Sequence, residues 1–194
     1  MEISSTQIKS LRDQTGISVM QCKKALEEAG GDMEKALIIL KKKRSEAAEK
    51  KSDRELGAGT IGAYIHNTHE VVAIVHLACE TDFVAKNDEF IKLANDIAMH
   101  VAAMNPKYIS RDAVDENALT KAKEVFAKEV EDKPADMQEK ILEGKLSSYF
   151  KEQILNEQPF VKNPETTIGE MVTGAIQKFG ENITIADISR LAVK

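Results

Sequence analysis

The stretch VVAIVHLACETDFVAKNDEF, residues 71–90, decides the fold because it changes from a strand pattern to a helix pattern within a few residues. Its first part, residues 71–79, is an apolar run rich in β-branched residues and predicts a strand. From Phe90 onward the apolar residues recur at helical spacing. The connector between them should be polar, yet it carries Phe83 and Val84. Phe83 is therefore either a lid on the protein's own core or a probe for a partner.

The segments on either side extend this pattern into a sheet with a helix. Apolar residues alternate with other residues over 60–66, which predicts a strand, and the polar residues 67–70 form a turn. The two strands therefore predict a hairpin. An amphipathic helix is expected to begin after Asn87 and to end at Asn105-Pro106.

The remaining part of the chain adds helices and one more strand. Helical patterns cover residues 116–130, 134–157 and 167–179, with an extended piece between Pro159 and Pro164. Residues 183–193 have a strand pattern. The sequence therefore predicts an α+β core domain over residues 57–194, in which an antiparallel sheet packs with helices.

The first 41 residues predict a separate domain of three short helices. Ser4 and Ser18 are each followed three residues later by a glutamine, which is the spacing of a capping box. Gly16 and the pair Gly30-Gly31 are expected to end the first two helices, and Asp32 to cap the third. Three helices joined by tight turns make a small bundle.

Residues 42–56 are predicted to be a charged helical linker between these domains. The segment Lys41 to Arg54 carries seven basic and three acidic residues. A nucleic-acid patch is conceivable there, although no aromatic residue is interleaved with the charges. A solvated helix is the simpler interpretation.

Composition narrows the class of protein. The 194 residues carry a net charge of -5, which argues against a sequence-independent grip on phosphate backbones. No secretory signal follows Met1, and the apolar runs are too short to span a bilayer. Cys22 and Cys79 lack metal-ligand spacing. We therefore expect buried thiols in a cytoplasmic protein.

Two stretches resemble a dinucleotide-binding motif and a zinc-binding motif, but the surrounding sequence argues against both sites. Residues 57–62 match GxGxxG, but they follow a charged segment and open a strand, whereas a dinucleotide site needs a strand before and a helix after. Residues 69–73 begin like a zinc HExxH motif, but the fifth residue is alanine. We expect His66 and His69 to be solvated, and His76 and His100 to pack at a sheet or helix edge. With no P-loop or local nucleophile motif, we expect a binding protein without a cofactor or metal, not an enzyme.

Several motifs in order along the chain resemble translation elongation factor Ts. The N-terminal signature is carried by LR at 11–12, TG at 15–16, Met20 and CKKAL at 22–26, and the central signature by ETDFVAKN at 80–87. Three later stretches are similar in the expected order: DIAMHVAA at 96–103, EQPF at 157–160 and GENI at 180–183. The resemblance covers nearly the whole chain and implies a short-form member with a UBA-like N-terminal bundle.

This resemblance implies guanine-nucleotide exchange on elongation factor Tu through binding, with no catalytic chemistry. The implied central site is Thr81, Asp82, Phe83 and Val84. In the family, the Asp-Phe pair wedges between helices of the GTPase nucleotide domain, disturbs the Mg²⁺ and phosphate site and speeds GDP release. Phe83 then becomes a probe, while Val84 anchors it to its own core.

The resemblance also implies a second contact, made by the N-terminal bundle through Arg12, Val19 and Met20. Val19 departs from the methionine frequent at that position, so a smaller contact is expected there. At the start of the second helix, Val19 and Met20 can face outward or pack onto the linker.

Three further expectations concern partners. The short form implies that the added core subdomain and the helical hairpin of longer members are missing, and a homodimer formed through the core can replace the missing surface. We expect no direct binding of nucleotide, nucleic acid or membrane. The rival hypotheses are an RNA- or ribosome-associated protein acting through the basic linker, and an enzyme whose site is assembled only in three dimensions.

Overall fold

A computed structural model describes residues 3–131 and 134–193, and it has the predicted α+β fold. Eight helices are present in these ranges: α1 (Ser5–Thr15), α2 (Val19–Glu28), α3 (Met33–Glu49), α4 (Asp82–Ala85), α5 (Asp88–Met104), α6 (Glu116–Val130), α7 (Ala135–Lys151) and α8 (Ile168–Phe179). Five strands accompany them: β1 (Ala58–Ile65), β2 (Val71–Cys79), β3 (Pro159–Phe160), β4 (Asn163–Thr167) and β5 (Ile183–Ala192).

The described residues group into two compact units. The first unit comprises the residues up to Glu55 together with Thr173–Asn182, and the second comprises Leu56–Val172 with the residues from Ile183 onward. A segment from late in the chain therefore belongs with the N-terminal helices.

The first unit contains the three predicted N-terminal helices with the predicted caps. Ser4 forms a full capping box with Gln7, and Ser18 and Asp32 cap α2 and α3. Gly16 ends α1 in the left-handed conformation, with a φ of 68°. A small core fills the space between the helices: Leu11, Ile17, Cys22, Ala25, Leu26, Ala36 and Leu40. Helix α3 runs on without a break to Glu49, so much of the charged segment is helical.

The second unit is built on a three-stranded antiparallel sheet in the order β1-β2-β5. The predicted hairpin is confirmed, with Ile65 opposite Val72 and Ala58 opposite Cys79. The predicted C-terminal strand is confirmed as β5, which pairs with the other side of β2.

Helix α5 covers one face of this sheet and has the predicted bounds. Asn87 caps its start, and Asn105 ends it in the left-handed conformation with a φ of 49°. The helix approaches β1 so closely at Gly62 that a Cβ there would collide with the backbone of Ala94. The backbone N–H of Ala63, on the edge strand, donates to Asn95 of α5 at 3.1 Å. This contact fixes the helix against the edge of the sheet.

Helices α6 and α7 pack together as a hairpin. The ring centroids of Phe126 and Tyr149 lie 5.4 Å apart, and Lys145 pairs with Glu129 at 2.7 Å. The partner of the earlier residue in α6 is the later one in α7, so the two helices are antiparallel.

Helix α7 ends at Lys151, earlier than the helical pattern suggested. Ile154 and Leu155 are completely buried, and the N–H of Leu155 donates to the carbonyl of Tyr108 at 2.8 Å. Tertiary packing therefore turns the chain out of the helix before residue 157.

Candidate functional site

The connector between β2 and α5 folds into one turn of helix, α4, mounted between two regular elements. Thr81 is its N-cap, and the hydroxyl oxygen of Thr81 accepts the N–H of Val84. The thiol of Cys79, at the end of β2, donates to the carbonyl of Thr81 at 3.3 Å. Asn87 then caps α5 directly after α4. We call residues 81–85 the tip.

The two apolar side chains of the tip have opposite environments. Phe83 is 81% exposed, whereas Val84 is 3% exposed and Ala85 is buried beside it. Helix α4 packs against β1 and β2, so Val84 and Ala85 join the core of the sheet. Burial of Val84 was predicted. Because Phe83 covers none of the core, it is not a lid.

Asp82 lies beside Phe83 at the exposed side of the tip and is held by Lys86. The ammonium of Lys86 donates to Oδ2 of Asp82 at 2.7 Å, and both side chains are exposed. This hydrogen bond and the positive charge lower the pKa of Asp82 below its ordinary value. Asp82 therefore presents a carboxylate at neutral pH. The i,i+4 spacing of Asp82 and Lys86 is the signal in the sequence that indicates this ion pair.

The N-terminal candidates lie on α1 and at the start of α2. Val19 is 51% exposed and Met20 is 68% exposed, so of the two arrangements open to them, both face outward. Arg12 has an exposed side chain in the last turn of α1, and its carbonyl accepts the N–H of Gly16 at 2.7 Å. We call Arg12, Val19 and Met20 the anchor. The anchor belongs to the first unit and the tip to the second.

Much of the basic segment is engaged in contacts within the first unit. Arg44 donates to the carbonyl of Thr15 at 2.6 Å, and Lys43 pairs with Glu28 at 2.5 Å. Lys51 donates to the carbonyl of Ile176 at 3.4 Å. These contacts leave less free positive charge for nucleic acid than the sequence suggested. Sequence reasoning missed the role of Arg44 because its partners are distant in the chain.

The apparent cofactor motifs have the context expected from the sequence. The glycine motif opens strand β1, not a helix, and His66 and His69 are exposed around the β1–β2 turn. No group of three or more His, Cys, Asp or Glu residues among those described could hold a metal ion. Cys22 and Cys79 are buried, as predicted.

His100 was expected at an edge, and that expectation was wrong. It is completely buried, with Nε2 2.9 Å from the side-chain oxygen of Gln158 and Nδ1 accepting the N–H of Val161 at 3.3 Å. Nδ1 is therefore unprotonated and Nε2 donates. Burial lowers the pKa of His100. The contact joins two stretches that the sequence singled out separately, residues 96–103 and 157–160.

Within the described ranges, no helix is both long and apolar enough to cross a membrane.

Comparison with known proteins gives consistent matches. The family described as Elongation factor TS matches residues 18–194. Elongation factor Ts of Thermosipho melanesiensis is 45% identical over 193 residues, which cover 98% of both chains. The protein of the same name from Thermodesulfovibrio yellowstonii is 45% identical over 100% of this chain and 97% of its own. That of Carboxydothermus hydrogenoformans is 48% identical over 94% of this chain and 85% of its own.

Proposed function

The chain belongs to the elongation factor Ts family of translation elongation factors, and on that premise we propose that it is a guanine-nucleotide exchange factor for elongation factor Tu. It binds Tu·GDP in the cytoplasm and promotes GDP release, after which GTP can bind. It holds no nucleotide, metal or cofactor of its own and performs no catalytic chemistry.

The observation that carries this proposal is the exposure of Phe83 on a rigid mount. A large aromatic side chain is normally buried, and leaving it in water forgoes about 1.5–3 kcal/mol. Phe83 recovers this free energy when it enters a partner. The cap at Thr81 and the burial of Val84 fix the direction in which Phe83 is presented.

The tip also carries the charge needed to disturb a metal and phosphate site. The carboxylate of Asp82 arrives beside Phe83, with Lys86 as its counter-ion. A carboxylate that approaches bound Mg²⁺ and phosphate competes for the metal and repels the phosphate oxygens. We propose that Asp82 and Phe83 together weaken GDP binding in this way.

The free energy of one phenylalanine limits what the tip can do alone. Each tenfold change in rate needs about 1.4 kcal/mol, so Phe83 supplies one to two decades of acceleration. Any larger effect needs further contacts, which we assign to Arg12, Val19 and Met20. Coupling is reciprocal, so bound GDP or GTP weakens the exchange factor's own binding to the same extent. Incoming nucleotide can then release it.

We also propose that two copies associate through the core. One face of the sheet exposes several large apolar side chains, and the strand register places them together: Ile61, Ile65, Ile74 and Leu191. Light scattering at working concentrations tests this directly. A monomer mass throughout would remove the homodimer without affecting the exchange function.

Stopped-flow release of a fluorescent GDP from elongation factor Tu tests the exchange function. We expect strong acceleration by this protein and a rate that saturates with its concentration. Absence of acceleration would contradict the proposal. If the protein instead bound RNA with a steep salt dependence, the rival assignment to the basic segment would gain support.

A further inference from the structure

The late segment Thr173–Asn182 completes the N-terminal unit through side-chain contacts. Its Gln177 lies against α2 and α3, and its Asn182 donates to the carbonyls of Ser52 and Arg54 at 3.2 and 3.0 Å. The helices that carry the anchor therefore depend on residues more than a hundred positions away in sequence.

Gln177 is a bridge between two side chains of this unit. Its Oε1 accepts the guanidinium Nε–H of Arg44 at 2.9 Å, and its Nε2 lies 3.1 Å from Oε1 of Gln21. An arginine can only donate, so the oxygen of Gln177 faces Arg44 and its NH₂ group faces Gln21. Both ends of the amide are used.

Arg44 extends the bridge to the end of α1. Its Nη2 donates to the carbonyl of Thr15 at 2.6 Å, and Thr15 is the last residue of that helix. The final carbonyls of a helix lack intrahelical partners and carry the negative end of the helix dipole, so a guanidinium is favourable there. The hydroxyl of Thr15 also accepts the N–H of Ile17 in the turn that follows.

The bridge therefore holds both ends of the turn between α1 and α2. Arg44 fixes the end of α1 at Thr15, which lies one helical turn after Arg12. Gln177 fixes Gln21, the residue next to Met20. A binding surface whose parts are held in place before association loses less conformational entropy when the partner arrives.

We propose that Arg44 and Gln177 are positioning residues that hold the anchor in its partner-binding arrangement, an inference that rests on the exchange function proposed above. They touch no partner themselves. Their effect on exchange passes through the anchor, not through the tip.

The first test measures the free protein and needs no partner. Amide hydrogen exchange is followed for Gln21 and Cys22, whose N–H groups bond to Ser18 at the start of α2. Gln177→Ala is expected to speed their exchange about fivefold, a change of the size that loss of one hydrogen bond allows. Lys178→Ala, at the next position of α8, is the matched control and should leave the amide exchange rates unchanged. Amide exchange rates in Gln177→Ala equal to those of the wild type would overturn the proposal.

The second test uses stopped-flow GDP release. Gln177→Ala and Arg44→Lys, which lacks the guanidinium fork, should each raise the half-saturating concentration about fivefold and leave the maximal rate unchanged. Gln177→Glu should restore the wild-type value, because its carboxylate accepts from Arg44 while the amide of Gln21 turns to donate. A fall in maximal rate with no shift in half-saturation would overturn the role.

A double-mutant cycle separates positioning from a general loss of stability. In a protein that already carries Met20→Ala, adding Gln177→Ala should change the half-saturating concentration little further. In a protein that carries Phe83→Ala, adding Gln177→Ala should raise it as much as in the wild type. Simple additivity with Met20→Ala would overturn the proposal. If the wild type itself fails to speed GDP release, the proposed function falls, while amide exchange still reports whether Gln177 holds α2.

Discussion

The tip and the start of α2 are two versions of one local design. In each, a hydroxyl side chain caps a helix, at Thr81 or Ser18, and the first two helical residues project outward. Asp82 and Phe83 occupy those positions in the tip. The corresponding pair in α2 is aliphatic, Val19 and Met20. Each helix start can expose large side chains because a residue just after them is buried in the fold, Val84 in the tip and Cys22 in α2.

The difference between the two lies in chemistry and support. The tip is one turn long, carries an acid and an aromatic ring, and is mounted directly on the sheet core. The anchor has no acidic group, lies on longer helices and is held by a hydrogen-bonded bridge through Gln177. A compact charged probe suits disturbance of a metal and phosphate site, while an apolar surface suits attachment. We therefore assign the acceleration to the tip and the affinity to the anchor.

The largest effect is expected from Phe83→Ala. The change removes the ring that we propose to enter the partner, so acceleration of GDP release should fall at least tenfold at a fixed protein concentration. Since Phe83 supports none of the protein's own core, the thermal unfolding midpoint should be unchanged. Val125→Ala removes an exposed apolar side chain from α6 and is the matched control. Full acceleration by Phe83→Ala would end the wedge assignment.

A smaller effect is expected from Met20→Ala. Loss of one partly exposed apolar contact should weaken binding to elongation factor Tu roughly fivefold to tenfold, as measured by titration calorimetry. Ile38→Ala, also an exposed apolar residue of the first unit, should leave affinity unchanged. Equal losses of affinity in the two variants would show that binding depends on exposed apolar surface in general and not on Met20 in particular.

Thr81→Ala should give a milder loss at the tip. Removal of an N-cap costs about 1 kcal/mol, which here falls on a helix of one turn. Presentation of Phe83 then becomes less uniform, and the rate of GDP release should fall severalfold. Thr81→Ser keeps the hydroxyl and is expected to retain the wild-type rate. A rate for Thr81→Ala equal to that of the wild type would mean that the cap is not needed.

The smallest effect concerns stability, not exchange. Because burial lowers the pKa of His100 below its ordinary value of 6.5, the unfolded chain takes up a proton that the folded protein resists. Stability should therefore fall as pH drops below about 6.5, by at most about 1.4 kcal/mol per pH unit from this group. Urea unfolding of His100→Gln should show a weaker dependence on pH between 7.5 and 5.5. His76→Gln alters an exposed histidine and should behave as wild type.

Local patterns predicted most of the fold. Ser4, Ser18 and Asp32 cap helices because a short polar side chain satisfies the exposed N–H groups nearby, a rule that needs no knowledge of distant residues. The alternation over 60–66 likewise predicted strand β1. The family resemblance supplied the tip and the anchor, and the structure exposes Phe83, Val19 and Met20 while it buries Val84.

Long-range contacts account for what sequence patterns missed. His100 looked like an edge residue because nothing local revealed Gln158, its partner 58 positions away. The bridge from Arg44 to Gln177 spans 133 positions and joins a segment that was interpreted as a solvated linker to one from the core domain. Helical periodicity also predicted that this helix continues to residue 157, whereas α7 ends at Lys151. Ile154 is buried by tertiary packing and not because it continues the helical spacing.

The division of labour between tip and anchor is tested most directly by complete saturation curves. The rate of GDP release from elongation factor Tu is measured against concentration for the wild type, Phe83→Ala and Met20→Ala. We predict that Phe83→Ala lowers the plateau at least tenfold with little change in half-saturation, and that Met20→Ala raises half-saturation with little change in plateau. If both variants move the same parameter, or if Phe83→Ala keeps the wild-type plateau, the division does not hold.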